Sequence, residues 1–138
     1  MATNKDPIFL NSVLSTNVEI DNADATTAQT IFTASTDGGA VTNLTATTTD
    51  TTAVIVVLRI NDGVTTNVIG EVTVPIGAGT DGATPAKNLL DGDAMPGVLQ
   101  NDGSIVIGAN SVLTVAAKVA VTAATVLSVS SVGGSYSV

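Results

Sequence analysis

The sequence has no histidine, no cysteine and no tryptophan, and it contains only four basic and three aromatic residues. Nucleophilic catalysis through a Ser-His-Asp or a Cys-His arrangement needs residues that the chain does not have. The histidine and thiolate ligands of most zinc and copper sites are missing too. No glycine-rich phosphate-binding motif follows an apolar strand. These absences predict a protein that is not an enzyme and that has no catalytic residues and no cofactor.

The charge of the chain is also one-sided. Twelve acidic residues against four basic ones give a net charge of −8. Nucleic acids and anionic membrane surfaces are bound chiefly through clustered lysine and arginine. No apolar run approaches the roughly 20 residues of a membrane-spanning helix, and the first residues do not form a secretory signal. We therefore expect a soluble chain, made without a cleavable signal, that binds neither nucleic acid nor membrane.

Aspartates are the remaining candidates for a metal site. Asp91, Asp93 and Asp102 could supply oxygen ligands to calcium, which takes six to eight of them. The EF-hand pattern is absent, however, and no glutamate follows at a suitable spacing. We interpret these residues as solvated turn aspartates and predict no metal site.

What the chain does contain is typical of β-structure, since 20 valines, 9 isoleucines and 22 threonines favour a pleated, half-buried surface. Asp-Gly steps mark turns between short strand-like runs. The predicted strands are 30–34, 41–49, 53–60, 67–74, 104–107, 111–121 and 125–132, with one more near 8–14 or 18–20. This spacing predicts an all-β fold, a single-domain antiparallel β-sandwich, jelly-roll-like, of about eight strands. Residues 1–25 are expected to form an N-terminal arm and first strand, and residues 26–138 the sandwich.

The most apolar stretch, "AVIVVLRIND" at residues 53–62, predicts a strand that is apolar on both faces. One face is expected to enter the core with Val54, Val56, Leu58 and Ile60. The other face carries Ile55 and Val57 and then Arg59, and it needs cover from a loop, a sheet or another subunit. Arg59 is expected to reach solvent along its aliphatic stem. The alternative is a cross-strand or intersubunit pairing with an acid such as Glu71.

Two further segments are candidates for contact with a partner. Residues 76–103 form a long glycine-rich connection with little periodicity, and such loops are usually functional. The polar N-terminal arm contains a short apolar group. We predict that the interface comprises this group and the outer face of the apolar strand, namely Pro7, Ile8, Phe9, Leu10, Ile55, Val57 and Arg59.

Four segments in order resemble a group of small bacteriophage virion proteins of the head decoration, or capsid cement, type. They are "IFTASTDGG" (31–39), "VVLRINDG" (56–63), "IGEVTVP" (69–75) and "VGGSY" (132–136). The chain departs from that group at "IVIGANSVLTV" (105–115), where the group has a Leu-Pro-Ala-Gly turn, and its 76–103 connection is longer.

The resemblance implies a homo-oligomer, most simply a trimer, that is made in the host cytoplasm and lies on the exterior of the virion capsid. Its partner would be the major capsid protein, and it would oppose the expansion caused by packaged DNA. The alternative is a receptor- or glycan-binding module of a tail fibre or adhesin. Such modules often stack sugars on exposed aromatic side chains, and the shortage of aromatic residues favours the capsid role.

Overall fold

Nine β-strands make up the computed structural model, which describes residues 10–136. They are β1 (Leu10–Asp21), β2 (Gln29–Thr33), β3 (Gly39–Thr48), β4 (Val54–Asn61), β5 (Thr66–Val74), β6 (Lys87–Asn88), β7 (Ile105–Ile107), β8 (Val112–Ala117) and β9 (Val126–Tyr136). A 3₁₀ helix, Asn22–Asp24, follows β1. No helix in this part of the chain is long and apolar enough to cross a membrane. The predicted all-β sandwich is confirmed.

The strands form two antiparallel sheets. Sheet A has the order β1-β9-β3, and both β6 and β7 pair with the far edge of β3. Sheet B has the order β2-β8-β4-β5. With β6 and β7 taken as one position, every connection except β4–β5 crosses from one sheet to the other. This is the strand order of a jelly roll.

The core lies between the inward faces of the two sheets. Valine, isoleucine and leucine alternate with polar residues along the strands, as a half-buried sheet requires. The largest fully buried side chains are Ile20, Ile31, Leu44, Leu58, Leu89, Met95, Ile105, Ile107, Leu113, Leu127, Val41 and Val56. The predicted inward face of β4 is confirmed, with Val54, Val56 and Leu58 buried and Ile60 packed at the margin of the core.

The β4–β5 hairpin forms where the sequence predicts it. Asn61 Oδ1 accepts a hydrogen bond from the Gly63 N–H at 2.7 Å, and Asp62 Oδ1 accepts from the Val64 and Thr65 N–H groups at 2.9 and 2.8 Å. Gly63 has a φ of 94°, which a residue with a side chain rarely adopts. The turn therefore needs both the short polar side chains and the glycine.

The predicted strand 111–121 is wrong in its second half, because β8 ends at Ala117. Residues 118–125 instead form a loop in which Thr122 is hydrogen-bonded to Asp50. Ala124 in this loop has a φ of 66°, a left-handed conformation that a strand cannot contain. Alternation of apolar residues continues in the sequence here, but long-range hydrogen bonding overrides it.

The long 76–103 connection closes one side of the sandwich. Leu89, Leu90 and Met95 in this segment are buried in the core. The Met95 side chain lies so close to Gly70 in β5 that a Cβ atom at Gly70 would overlap with it. The apolar side chains of this connection therefore belong to the fold itself.

The N-terminal region is a strand from residue 10 onwards. One continuous strand, β1, covers most of the two short stretches considered for a first strand, and it pairs with β9 from Leu10↔Tyr136 to Asp21↔Val126. The register shifts between Leu10 and Ser12. Residues 10–21 of the predicted arm and first strand are thus the outer strand of sheet A.

Candidate interaction surface

The turn aspartates are hydrogen-bonded within their own turns. Asp91 accepts from the Asp93 N–H at 2.9 Å and pairs with Lys87, Nζ to Oδ2 being 3.2 Å. Asp102 accepts from the Ser104 N–H and hydroxyl at 3.0 and 2.6 Å. The Lys87 side chain lowers the pKa of Asp91 most, and the Ser104 hydroxyl lowers the pKa of Asp102 most. In the described part of the chain, no three carboxylate, histidine or cysteine side chains form a potential metal-binding group.

Among the aspartates that the structure describes, Asp50 is the buried one, with 3% of its surface exposed. Its Oδ1 accepts from the Thr52 N–H at 2.9 Å and the Thr122 hydroxyl at 2.7 Å, and its Oδ2 accepts from the Thr122 N–H at 2.9 Å. Burial raises the pKa of Asp50, but hydrogen bonds from Thr122, Thr52 and Thr51 outweigh burial, and the pKa lies below its ordinary value. Asp50 thus ties the β3–β4 loop to the β8–β9 loop. A cavity of about 310 Å³ lies between these loops.

The predicted interface residues of β4 lie together on the outer face of sheet B but differ in exposure. Ile55 is 36% exposed and Val57 is 3% exposed, while Arg59 is half-buried. The sequence predicts that this face needs cover from a loop, a sheet or another subunit, and at Val57 the cover is not another subunit. Its cover comes from the chain itself, because Val57 lies between Glu71 of β5 and Ala116 of β8.

Glu71 is paired with Lys118, not with Arg59. The Lys118 Nζ lies 2.9 Å from Glu71 Oε2. Arg59 forms no ion pair within the described residues, and it lies opposite Thr114 of β8 and Val68 of β5. The alternative that Arg59 pairs with Glu71 across strands of one chain is therefore wrong.

The remaining predicted interface residues are at the N-terminus. Pro7, Ile8 and Phe9 lie outside the described residues. Leu10 begins β1 in sheet A, opposite Tyr136. The structure therefore places Leu10 and the β4 residues in different sheets and does not bring them together on one face.

A surface that the sequence did not predict lies on the outer face of sheet A. One row of paired residues crosses four strands there, in the order Val13, Gly134, Ala40 and Val106. Val13 is 79% exposed and Val106 is 46% exposed, and the small residues between them are buried. Val132, 41% exposed, lies on the same face one row away. These five residues, called here the valine row, form a shallow apolar surface in which exposed valines flank the buried Gly134 and Ala40.

The rest of this face is uncharged over most of its length. Further outward side chains of β1, β9 and β3 are Ser15, Asn17, Asn43, Thr45, Thr47, Ser128 and Ser130. The charged outward side chains of these three strands are Glu19 and Asp21, both at the C-terminal end of β1. A chain with a net charge of −8 therefore keeps one broad face almost free of charge.

Sequence reasoning missed the valine row because its members are far apart in the chain and two of them are small. The "VGGSY" segment contained the available signal. A Cβ atom at Gly133 would overlap with the carbonyl oxygen of Ala40, so β9 passes very close to β3 at this point. The glycine pair therefore marks a close approach of two backbones, beside which Gly134 leaves the outer face without a side chain.

The two aromatic residues of the described part are not exposed platforms, since Phe32 is 3% exposed and Tyr136 is half-buried. No protein-family model, no curated protein and no solved structure matches this chain. The surface chemistry of the chain itself is therefore what bears on its function.

Proposed function

We propose that this chain is a structural virion protein, a capsid decoration or cement protein that binds the outside of a phage head and stabilises the shell. In this proposal its partners are the major capsid protein and further copies of itself, in a trimer. The observation that carries the proposal is the nearly uncharged outer face of sheet A with its valine row.

Such a face suits a protein partner. Charged residues are depleted at the centres of protein interfaces because their desolvation is costly, whereas small polar and aliphatic groups lose less on leaving water. The exposed valines supply the apolar area for such a contact. These properties favour attachment to another protein over attachment to an anionic polymer.

The size of the face supports attachment through several copies at once. Three strands about 4.8 Å apart and about 35 Å long give a footprint of roughly 500 Å². A standard interface buries about 800 Å² per partner. One copy therefore offers less than a standard interface, and a trimer that binds three equivalent sites gains from avidity.

The rival function is a receptor- or glycan-binding module of a tail fibre or adhesin. Jelly rolls are found among both viral capsid proteins and lectins, so the fold alone does not discriminate between the two functions. The surface discriminates better. Sugar binding commonly uses exposed aromatic rings, and Phe32 and Tyr136 do not provide them.

The valine row provides the test. Val13→Asp and Val106→Asp each place a charge on the proposed attachment face at an exposed position, so the fold should tolerate them. Val64→Asp and Val119→Asp are matched controls, because these valines are 89% and 74% exposed but lie in loops away from this face. Purified variants are added to heads that lack the protein, and bound protein per head is measured by sedimentation and gel densitometry.

We expect both face variants to bind heads at least ten-fold more weakly and both controls to bind as wild type does. Heads without bound protein should then break at a lower temperature, while adsorption of particles to host cells stays normal. Deletion of residues 1–9 leaves β1 intact and tests whether the N-terminal segment adds to attachment. Normal head binding by both face variants would contradict the proposal, and lost adsorption with stable heads would favour the rival.

A further inference from the structure

The outer edge of β1 is free within the described part of the chain, because β1 pairs only with β9 there. The strand is 12 residues long and so offers about 40 Å of unpaired backbone. Natural edge strands are usually protected by lysine, by proline or by short length. β1 contains neither lysine nor proline, and its charges are confined to Glu19 and Asp21. Such an edge is suited to receiving an additional strand.

A groove lies directly beside this edge. β1 and β2 are edge strands on the same side of the sandwich, and the space between them has a volume of about 270 Å³. The groove is lined by Leu14, Thr16, Thr30, Ile31, Phe32 and Thr33. Leu14 belongs to the inward face of β1 but is 37% exposed, because the groove leaves it uncovered. A strand added to β1 would direct alternate side chains into this groove.

We propose that residues 1–9 of a second copy form that strand, antiparallel to β1, with the apolar pair Ile8-Phe9 at the groove. The inference rests on the self-association proposed above and names the site at which it occurs. Consecutive residues of a strand face opposite sides of a sheet. One side chain of the pair therefore enters the groove in any register that places Ile8 and Phe9 opposite residues 14–16.

The direction of the chain favours another copy as the receiver. Residues 1–9 precede Leu10 and, continued along β1, would lead away from Leu14 and Thr16 of the same chain. To reach its own groove the segment would have to reverse completely within a few residues. The register shift between Leu10 and Ser12 bends the edge at the point of departure, so the segment can leave the line of β1 towards a neighbour. Head-to-tail exchange of this kind closes into a trimeric ring when successive copies are related by a three-fold rotation.

Charge spacing is the second argument for this occupant. Lys5 is the one basic residue of the segment, and the described lysines, Lys87 and Lys118, are already paired. In an antiparallel pairing with Ile8 opposite Thr16, Lys5 is opposite Glu19. A register shifted by one residue would turn Lys5 to the opposite face from Glu19, so the charge match selects this register. In this register, therefore, Ile8 and Phe9 lie at the groove while Lys5 lies at the acidic end of β1.

Engineered cysteines test this arrangement on purified protein without heads, because the natural chain has no cysteine. Lys5→Cys chains are mixed with Glu19→Cys chains under mild oxidation, and products are separated on a denaturing, non-reducing gel. Paired residues of adjacent strands are close enough for a disulfide. The matched control is Thr73→Cys, an exposed position on β5, the edge strand on the other side of the sandwich. We expect the first pair to crosslink at least ten-fold faster than Lys5→Cys with Thr73→Cys.

A chain with both Lys5→Cys and Glu19→Cys reports how the segments are exchanged. Head-to-tail exchange gives covalent trimers, whereas an internal disulfide in a monomer would overturn the inference. Equal crosslinking of the control pair would overturn it too.

Charge reversal gives an independent readout by sedimentation equilibrium. Lys5→Glu and Glu19→Lys should each weaken association about five-fold, and the double variant should restore it. Unchanged association in both single variants would count against the proposed register. Since no head is present, failure here leaves the proposed attachment to the capsid to be judged by the valine-row variants.

Discussion

Lys118 and Glu71 form an ion pair that spans strand β4 of sheet B. The Nζ to Oε2 distance is 2.9 Å. Lys118 directly follows β8 and Glu71 belongs to β5, and these two strands lie on opposite sides of β4. The Lys118 N–H donates to the carbonyl of Ile55, and Glu71 lies opposite Val57. The two side chains therefore meet above β4, between Ile55 and Val57, and this explains how an outward valine is buried in a single chain.

The first prediction concerns the outer face of β4. Val57→Ala should lower the free energy of unfolding by about 2 kcal/mol, since a buried valine loses two carbon atoms. Ile55→Ala should cost about 1 kcal/mol because more of this side chain is in water. Urea unfolding measures both. Glu71→Gln is the control, and as an exposed ion pair its loss should cost less than about 1 kcal/mol. Equal losses for Val57→Ala and Ile55→Ala would contradict the burial difference.

The second prediction concerns Asp50. Asp50→Asn replaces one carboxylate oxygen by an amide that cannot accept the hydrogen bonds from Thr52 or Thr122. An unsatisfied buried group of this kind costs about 1–3 kcal/mol. Asp37→Asn is the matched control, because Asp37 is exposed and its carboxylate accepts no hydrogen bond from the described residues. In thermal unfolding at pH 7, Asp50→Asn should have the lower melting temperature. Equal melting temperatures would show that the hydrogen bonds of Asp50 contribute little to stability.

Asp50 also predicts how stability depends on pH. Its pKa is lowered in the folded chain, so the unfolded chain takes up the proton first. The stability that Asp50 contributes is therefore present above the unfolded pKa of about 3.9 and is lost as pH falls through the lower folded pKa. Wild type should lose stability more steeply below about pH 4 than Asp50→Asn does. Parallel curves from pH 7 to pH 2 would contradict this assignment.

The third prediction concerns the close approach of β9 and β3. Gly133→Ala would place a methyl group against the Ala40 carbonyl oxygen and 2.9 Å from the Cα atom of Val41. These are backbone atoms of β3, which cannot move aside while β3 stays paired with β9. We therefore expect the free energy of unfolding to fall by about 3 kcal/mol. Gly92→Ala is the matched control, because no heavy atom lies within 4 Å of the position that its methyl group would take, and it should change stability by less than about 0.5 kcal/mol. A neutral Gly133→Ala would mean that the two strands separate more easily than their pairing suggests.

The fourth prediction tests the turn aspartates for metal binding. Asp91→Asn removes an ion pair with Lys87 that is partly exposed, so the loss should stay below about 1 kcal/mol. Calcium at millimolar concentration should leave the melting temperature of wild type unchanged. A calcium-dependent rise in wild type that disappears in Asp91→Asn would contradict the interpretation of Asp91 as a turn residue.

Several features of the fold could be predicted from the sequence because they depend on neighbours in the chain. The inward face of β4 follows from the alternation of Val54, Val56 and Leu58, and its hairpin follows from Asp62-Gly63. Alternation and turn chemistry are local, so they can be read without the fold. The same reasoning failed after Ala117, where the long-range bonds between Asp50 and Thr122 determine the path of the chain.

The candidate surfaces depend on tertiary structure to a greater degree. The sequence by itself determined an all-β sandwich, the inward face of its most apolar strand and a chemistry without thiols or imidazoles. Only the tertiary structure brought Val13, Gly134, Ala40 and Val106 into one row, and only it covered Val57 with an ion pair. The physical reason is that strand pairing joins residues far apart in the chain, such as Val13 and Gly134. Which side chains remain in water is set by those partners, not by the residues next to them in the chain.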